Sequence, residues 1–146
     1  MNAAKRLAAC ALLALAVVTG SGVSACGSGS PIAPQGPTAR MERTANGESV
    51  VLTRLGAARI GVRTAAATAR GADTVVPYSA LLYEPDGATA VYVNTGPLAY
   101  TRYVVAVGSI AGEQVYLTSG LRPGAAVVTV GAEELLGVQN GVGEET

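Results

Sequence analysis

Several residue types that carry enzyme chemistry are missing from this sequence of 146 residues. It contains no histidine, no tryptophan and no phenylalanine, and its one lysine is Lys5, close to the N-terminus. Without imidazole there is no serine-histidine-aspartate triad, no histidine-containing metal site and no histidine pH switch. A serine nucleophile would need a lysine as its base, and the chain after Lys5 has none. We therefore expect no enzymatic activity, no catalytic residue, no metal and no cofactor.

The sequence also has no excess of charge of either sign, and it has few cysteines. The chain has 10 Lys and Arg against 10 Asp and Glu, and removal of Lys5 and Arg6 with the leader described below leaves 8 against 10, a formal charge of −2. Such a surface does not attract nucleic acid. The two cysteines are Cys10 and Cys26, and because Cys10 lies in the leader, the mature chain has no partner for an internal disulfide. The apolar residues, 49% of the chain, must therefore form a packed core by themselves.

The N-terminus has the pattern of a bacterial export signal. Lys5 and Arg6 form a short basic region, and Leu7–Val18 is an apolar run of 12 residues. That length is typical of a signal peptide and is well short of the roughly 18 residues that span a bilayer. We predict that residues 1–25 are a signal peptide.

The end of this leader resembles the lipobox of bacterial lipoproteins, with the residues Val23, Ser24, Ala25 and Cys26. The resemblance implies that the chain is cut before Cys26 and that lipid on the cysteine sulfur holds the protein at the outer, extracytoplasmic face of the cell membrane. An ordinary signal peptide followed by an unmodified cysteine is the alternative.

Residues 26–46 are predicted to be the lipidated cysteine and a flexible tether. The stretch 27–43 is rich in Gly, Ser and Pro and has no apolar period. A flexible chain of this length spans about 20 Å, so the domain would sit close to its membrane. Arg40 and Arg43 could contact anionic headgroups, although two arginines on a tether are more often simply solvated.

Residues 47–143 contain short apolar runs separated by Gly, Pro, Asn and Asp, which predicts a mainly all-β domain, barrel-like or a sandwich, with one or two short helical turns. Thr53 is predicted to cap a helical turn that stops at Gly61, although Gly56 inside it weakens a helix. Val115 and Leu117 alternate with polar residues and should face the core. Residues 144–146 are predicted to be a loose tail.

Two acidic residues stand close together but do not indicate catalysis. Glu84 and Asp86 flank a Pro-Asp-Gly turn, where an aspartate serves the backbone, whereas a general-acid pair needs carboxylates that face each other across a cleft. The turn joins Ala80–Tyr83 to Ala90–Val93 in a predicted hairpin.

The aromatic side chains of this sequence are suited to a docking surface. All six aromatic residues are tyrosines, which can bury a ring and keep a wet hydroxyl at an interface. On the predicted strand Leu98–Val107, Tyr100 and Arg102 share one face and form the predicted docking surface if that face is exposed. Packing at the rim of the core is the alternative for any single tyrosine.

Three stretches are similar, in order and spacing, to the periplasmic adaptor subunits, or membrane fusion proteins, of resistance-nodulation-division efflux pumps. Ile60–Val62, with the helical turn before it, resembles the segment that opens the adaptor core. Val76–Val93 resembles the strand pair that follows the adaptor's β-barrel domain. Ser119–Leu135, a Ser-Gly-Leu turn and a Val-Val-Thr strand closed by Gly, resembles the adaptor's C-terminal end.

The resemblance covers only the membrane-proximal domain of such an adaptor. Where an adaptor inserts two lipoyl-like half-domains, an α-helical hairpin and a β-barrel, this chain has only Arg63–Thr74. The resemblance implies a lipid-anchored accessory protein that docks on a membrane transporter and does not bridge two membranes. A ligand-binding or cell-envelope scaffold lipoprotein with no transporter partner is the alternative, and a hydrolase is a weaker one.

Overall fold

Ten strands and two short helices follow one another in residues 36–45 and 47–141, the part of the chain that the computed structural model describes. The strands are β1 (Ala39–Thr44), β2 (Gly47–Leu52), β3 (Arg63–Ala66), β4 (Thr68–Arg70), β5 (Asp73–Pro77), β6 (Leu82–Tyr83), β7 (Thr89–Gly96), β8 (Ala99–Ala111), β9 (Gln114–Ser119) and β10 (Ala126–Val130). The helices are α1 (Arg54–Ile60) and α2 (Ala132–Gln139), and a 3-10 turn spans Tyr78–Ala80. The predicted mainly β fold is confirmed.

The antiparallel sheet curls into a nearly closed barrel. Its strand order is β3-β10-β7-β8-β9-β5-β4, and β3 and β4 are parts of one extended segment that meet at Ala67. The Ala67 N–H donates to the Ala125 carbonyl at 2.8 Å, and the Ala67 carbonyl accepts from the Gly124 N–H at 2.7 Å. The two ends of the sheet are therefore continuous in the chain, and a seam remains where β3 pairs with β10 alone.

The hairpin of β1 and β2 extends the sheet beyond the barrel. Ser49–Val51 of β2 pairs with Ala99–Thr101 at the start of β8, and β9 takes the same side of β8 from Ala106 onward. The long strand β8 thus pairs with the outer hairpin through its N-terminal part and with β9 of the barrel through its C-terminal part.

Side-chain alternation gives the sheet two cores, because successive residues of a strand point to opposite faces. On β7, Val91 and Val93 face the barrel interior, whereas Tyr92 faces the outer layer. The barrel core contains Ala67, Val76, Ala80, Leu81, Val91, Val93, Val105, Val115, Leu117 and Val127. The outer core contains Val50, Leu52, Leu82, Tyr92, Tyr100, Val128, Ala132 and Leu135. The inward positions predicted for Val115 and Leu117 are confirmed.

Helix α1 begins and ends as predicted. The Thr53 side chain accepts a hydrogen bond from the Gly56 N–H at 3.1 Å, and Gly61 ends the helix in the left-handed conformation, with φ of 67°. A larger residue than glycine would clash at position 56, because a Cβ atom there would lie 2.1 Å from the Thr38 carbonyl oxygen. Neither helix in the described part of the chain is long and apolar enough to cross a membrane.

The tether predicted over residues 26–46 is too long at its C-terminal end. Strand β1 lies inside that range and pairs with β2 from Ala39 to Thr44. Ala39 and Met41 pack against the outer core, while the charged residues Arg40, Glu42 and Arg43 are exposed. Ala39 and Met41 alone give too weak an alternation to predict a strand, and the strand depends on its pairing with β2. The leader, Cys26 and the predicted tail lie outside the described residues.

Candidate docking surface

Strand β8 places Tyr100 and Arg102 on one face, as alternation predicted, but that face is covered. Tyr100 is 5% exposed and lies in the outer core opposite Val50 of β2. Burial raises the pKa of Tyr100 above its usual range, partly opposed by a hydrogen bond from Asn94. Tyr100 is therefore not a surface residue, because the β1–β2 hairpin covers it, whereas the Arg102 side chain is 32% exposed.

Arg102 has a structural partner instead. Its guanidinium forms an ion pair with the carboxylate of Glu84, whose side chain is only 10% exposed. The pair ties β8 to the turn between β6 and β7. Beside it, burial raises the pKa of Tyr92 to about 12, with the Arg102 charge opposing this shift, and the Tyr92 hydroxyl donates to Gln139 Oε1 at 2.5 Å.

The hairpin turn itself has the chemistry predicted for it. Strands β6 and β7 pair as expected, and Asp86 Oδ1 accepts a hydrogen bond from the Ala88 N–H at 2.9 Å. Asp86 therefore serves the backbone of the turn, and Glu84 serves Arg102.

Two tyrosines are exposed and define what we call the tyrosine patch, Tyr78 and Tyr83. They are 45% and 58% exposed, the most of the six tyrosines. The neighbouring side chain of Tyr78 raises the pKa of Tyr83 above its usual range through hydrogen bonding, so the two side chains lie near each other. Large rings exposed together are typical of contact surfaces.

The backbone beneath the tyrosine patch is firmly held. The Tyr78 N–H donates to the Glu113 carbonyl at 2.8 Å, and the Tyr78 carbonyl accepts from the Leu81 N–H at 3.0 Å. Ala80 is fully buried and Leu81 nearly so, both in the barrel core. The two rings are thus presented by a rigid segment, which limits the entropy lost when a partner binds.

Two open grooves lie along the barrel. One, of about 530 Å³, follows the seam and is lined by Ala66, Thr68, Val75, Val76, Pro77, Tyr78, Ser79, Glu113 and Gln114. The other, of about 630 Å³, is lined by Val93, Tyr103, Gly120, Leu121, Arg122 and Ala125. Both are open to solvent, whereas small-molecule sites usually bury about 70 to 90% of their ligand. The first groove continues the tyrosine patch through Tyr78.

Reactive groups do not converge in the part of the chain that is described. No three acidic or cysteine side chains there are placed to hold a metal ion. Glu133 and Glu134 are exposed in the first turn of α2, where carboxylates are favoured by the helix dipole. The expectation that the protein is not an enzyme stays a prediction.

Comparisons with protein-family models, with curated proteins and with solved structures give no match for this chain. The resemblance to efflux adaptors therefore stays a prediction that rests on the residues quoted above.

The sequence offered a weak signal for the tyrosine patch. Tyr78 follows the strand-ending Pro77, and Tyr83 precedes the hairpin turn, so both occupy strand ends, where side chains leave the packed faces. Tyr100 lies at the beginning of β8, and pairing with a strand 50 residues earlier in the sequence covers it.

Proposed function

We propose that this protein is a lipid-anchored extracytoplasmic accessory protein that docks on a membrane transporter through the tyrosine patch. The observation that carries the proposal is the pair of exposed rings, Tyr78 and Tyr83, on a hydrogen-bonded segment whose central residues Ala80–Leu82 are buried. Central tyrosines are among the residues that contribute most to protein interfaces, about 1 to 2 kcal/mol or more each.

A transporter is the favoured partner because of where the patch lies. Tyr78 and Tyr83 both belong to Val76–Val93, one of the stretches that resemble an adaptor's membrane-proximal domain. By that resemblance, the segment Arg63–Thr74 stands where an adaptor carries its outward-reaching parts, and here it forms β3, β4 and the beginning of β5 within the barrel wall. The protein would therefore act beside the membrane that holds its partner.

Membrane attachment is the first part of the proposal to test. Intact-mass analysis of the protein extracted from its own membranes should show a chain that begins at Cys26 and carries acyl groups. Cys26→Ala should release the protein from the membrane fraction. An unmodified Cys26, or a cut at another position, contradicts this part.

Docking is tested by photo-crosslinking in the native membrane. A photoreactive phenylalanine analogue at position 83 should crosslink to an integral membrane transporter that mass spectrometry identifies. The matched control carries the analogue at position 95, where Thr95 is also exposed but lies at the far end of β7 from Thr89, the residue that pairs with Tyr83. Crosslinks only to soluble proteins, or equal recovery of the transporter from both positions, would overturn the proposal.

One observation favours a second candidate, the binding of a small molecule. The groove lined by Val93, Tyr103 and Leu121 also holds the cation Arg122, which suits an amphipathic anion. Its openness weighs against this function. Native mass spectrometry that finds a small molecule bound to the protein, together with loss of that molecule in Arg122→Gln, would favour the second candidate.

A further inference from the structure

The chain enters the folded domain directly against helix α1. The Thr38 carbonyl accepts two hydrogen bonds from Thr53, at 2.9 Å from its N–H and 3.1 Å from its Oγ1. It also occupies the space that Gly56 leaves free, because a Cβ atom there would lie 2.1 Å from the Thr38 oxygen. The point where the N-terminal segment joins the domain is thus fixed beside the first turn of α1.

The outer face of α1 is basic and partly apolar. Arg54, Leu55, Ala58 and Arg59 are exposed on it, and Leu55 is 48% exposed. The helix contains no acidic residue. Within the described residues, no carboxylate lies within 4.0 Å of either arginine.

The other arginines near the chain entry differ in this respect. Arg40 and Arg43 on β1 are bonded to Glu42 and Glu48, at 2.7 and 2.9 Å. These arginines are thus each paired with a carboxylate at the surface. The uncompensated positive charge at the chain entry therefore belongs to α1.

The acidic residues at the start of α2 form no ion pair with the arginines of α1. Glu133 and Glu134 at the start of α2 border a depression lined by Ser79 and Leu81.

The length of chain between the lipidation position and the domain restricts which face meets the membrane. Thr38 follows Cys26 by 12 residues. If that stretch is the flexible tether predicted from its composition, its root-mean-square span is about 20 Å. A domain of this size is roughly 30 to 35 Å across, so the face at the chain entry is favoured to point toward the bilayer.

From this placement we infer that the exposed face of α1 rests on an anionic membrane surface, with Arg54 and Arg59 at the headgroups and Leu55 reaching toward the acyl chains. The inference rests on the lipid anchor in the proposed function. Each arginine near an anionic leaflet strengthens binding by several-fold, and covalent tethering keeps the face at high local concentration.

The test uses the lipidated protein purified from membranes and reconstituted into vesicles. Ala58→Cys allows a fluorophore to be attached to the α1 face. Ser109→Cys allows the same fluorophore to be attached to β8, roughly 30 Å along the strand from its first residue, Ala99. That first residue lies next to Leu52, which precedes α1. Acylation of Cys26 blocks its sulfur, so each variant has one free thiol. The vesicles are phosphatidylcholine with or without phosphatidylglycerol, and brominated acyl chains report contact with lipid.

The expected result is bromolipid quenching at position 58 that exceeds quenching at position 109, and only in vesicles that contain phosphatidylglycerol. Replacing both α1 arginines, R54Q/R59Q, should lower the ratio of docked to undocked protein about tenfold or more. The matched control R70Q/R122Q removes the same charge from exposed arginines away from α1 and should leave the ratio unchanged.

The outcomes separate the inference from the proposal on which it rests. Equal quenching at the two positions in a protein whose mass shows acylated Cys26 overturns the α1 inference alone, as does equal loss in both double variants. An unmodified Cys26 overturns the inference together with the anchor. Strong quenching at position 58 in a protein that never crosslinks to a transporter supports the inference and contradicts the docking function.

Discussion

The barrel interior and the outer layer bury different kinds of side chain. The barrel core consists of Val, Leu and Ala, and β3 and β4 close around it. The outer core buries two tyrosines, Tyr92 and Tyr100. Around it lie polar contacts, among them the Arg102–Glu84 ion pair and the hydrogen bond from Tyr92 to Gln139.

This difference indicates how the two regions are stabilised. The barrel depends on close packing of small apolar residues, and its central strands β10, β7, β8, β9 and β5 are each paired on both sides. The outer layer depends on long side chains whose polar ends need hydrogen-bond or ionic partners. Helix α2 covers one side of the outer core. We therefore expect the barrel to be sensitive to lost volume and the outer layer to be sensitive to lost partners and to pH.

The largest expected effect compares one leucine in each core. Leu117 in β9 and Leu135 in α2 are both fully buried. Either change to alanine should lower the free energy of unfolding by about 2 to 5 kcal/mol, with Leu117→Ala at the upper end because β9 lies between two strands and cannot relax into the cavity. Urea denaturation measures both.

An equal or larger cost for Leu135→Ala would break the comparison, since it would mean that α2 is held as rigidly as the barrel. If Leu117→Ala does not fold, valine at both positions gives the same comparison at about 1 kcal/mol.

The next effect concerns a partner rather than a volume. Arg102→Met keeps the length of the side chain but leaves Glu84, 10% exposed, without its cation. We expect a loss of about 1 to 3 kcal/mol in the free energy of unfolding. Arg40→Met, which breaks the exposed pair with Glu42, is the control and should cost less than about 0.5 kcal/mol. Similar losses in the two variants would show that the Arg102 pair is an ordinary surface pair.

How far the sequence predicted this structure depends on the range of each signal. The cap at Thr53 and the stop at Gly61 lie within one short helix, and the Pro-Asp-Gly turn lies within one hairpin. Local hydrogen bonds determine these features, so local patterns predicted them. Alternation at Val115 and Leu117 likewise predicted which face of β9 is buried.

The features that were predicted wrongly depend on contacts distant in sequence. Strand β1 exists because β2 pairs with it, and β2 in turn pairs with β8, where the Ser49 and Thr101 hydroxyls lie 2.7 Å apart across 52 residues. The same hairpin buries Tyr100. No local pattern shows which face of β8 a strand will cover, and the candidate docking residues changed from Tyr100 and Arg102 to Tyr78 and Tyr83 for that reason.

A smaller effect follows from the pKa of Tyr92. In the folded protein it is raised from 10.0 to about 12 by burial, so the fold holds the proton more tightly than the unfolded chain does. This contribution to stability is complete below pH 10 and is lost as the pH rises through the folded value near 12, about 1 to 2 kcal/mol in all. Equilibrium unfolding measured from pH 8 to pH 12 should show the decline.

Tyr92→Phe is the control for that measurement. It removes the titrating group and with it the hydrogen bond to Gln139, so it should lower stability by about 1 kcal/mol at neutral pH and flatten the decline above pH 10. Tyr100 titrates in the same direction and leaves a residual slope. A decline as steep in Tyr92→Phe as in the natural protein would mean that another group controls alkaline unfolding.

The smallest effect on stability is expected at the tyrosine patch, because its exposed rings belong to neither core. Tyr83 is 58% exposed, so Tyr83→Ala should change the free energy of unfolding by less than about 0.5 kcal/mol. The same variant should weaken association with the transporter by about five- to thirtyfold, because an exposed ring contributes only when a partner covers it. Thermal unfolding gives the first value, and the yield of crosslinks in native membranes from a photoreactive phenylalanine analogue at position 78, with Tyr or Ala at position 83, gives the second. A destabilisation above 1 kcal/mol would place Tyr83 with the outer core, and unchanged crosslinking with unchanged stability would leave the patch without a role in docking.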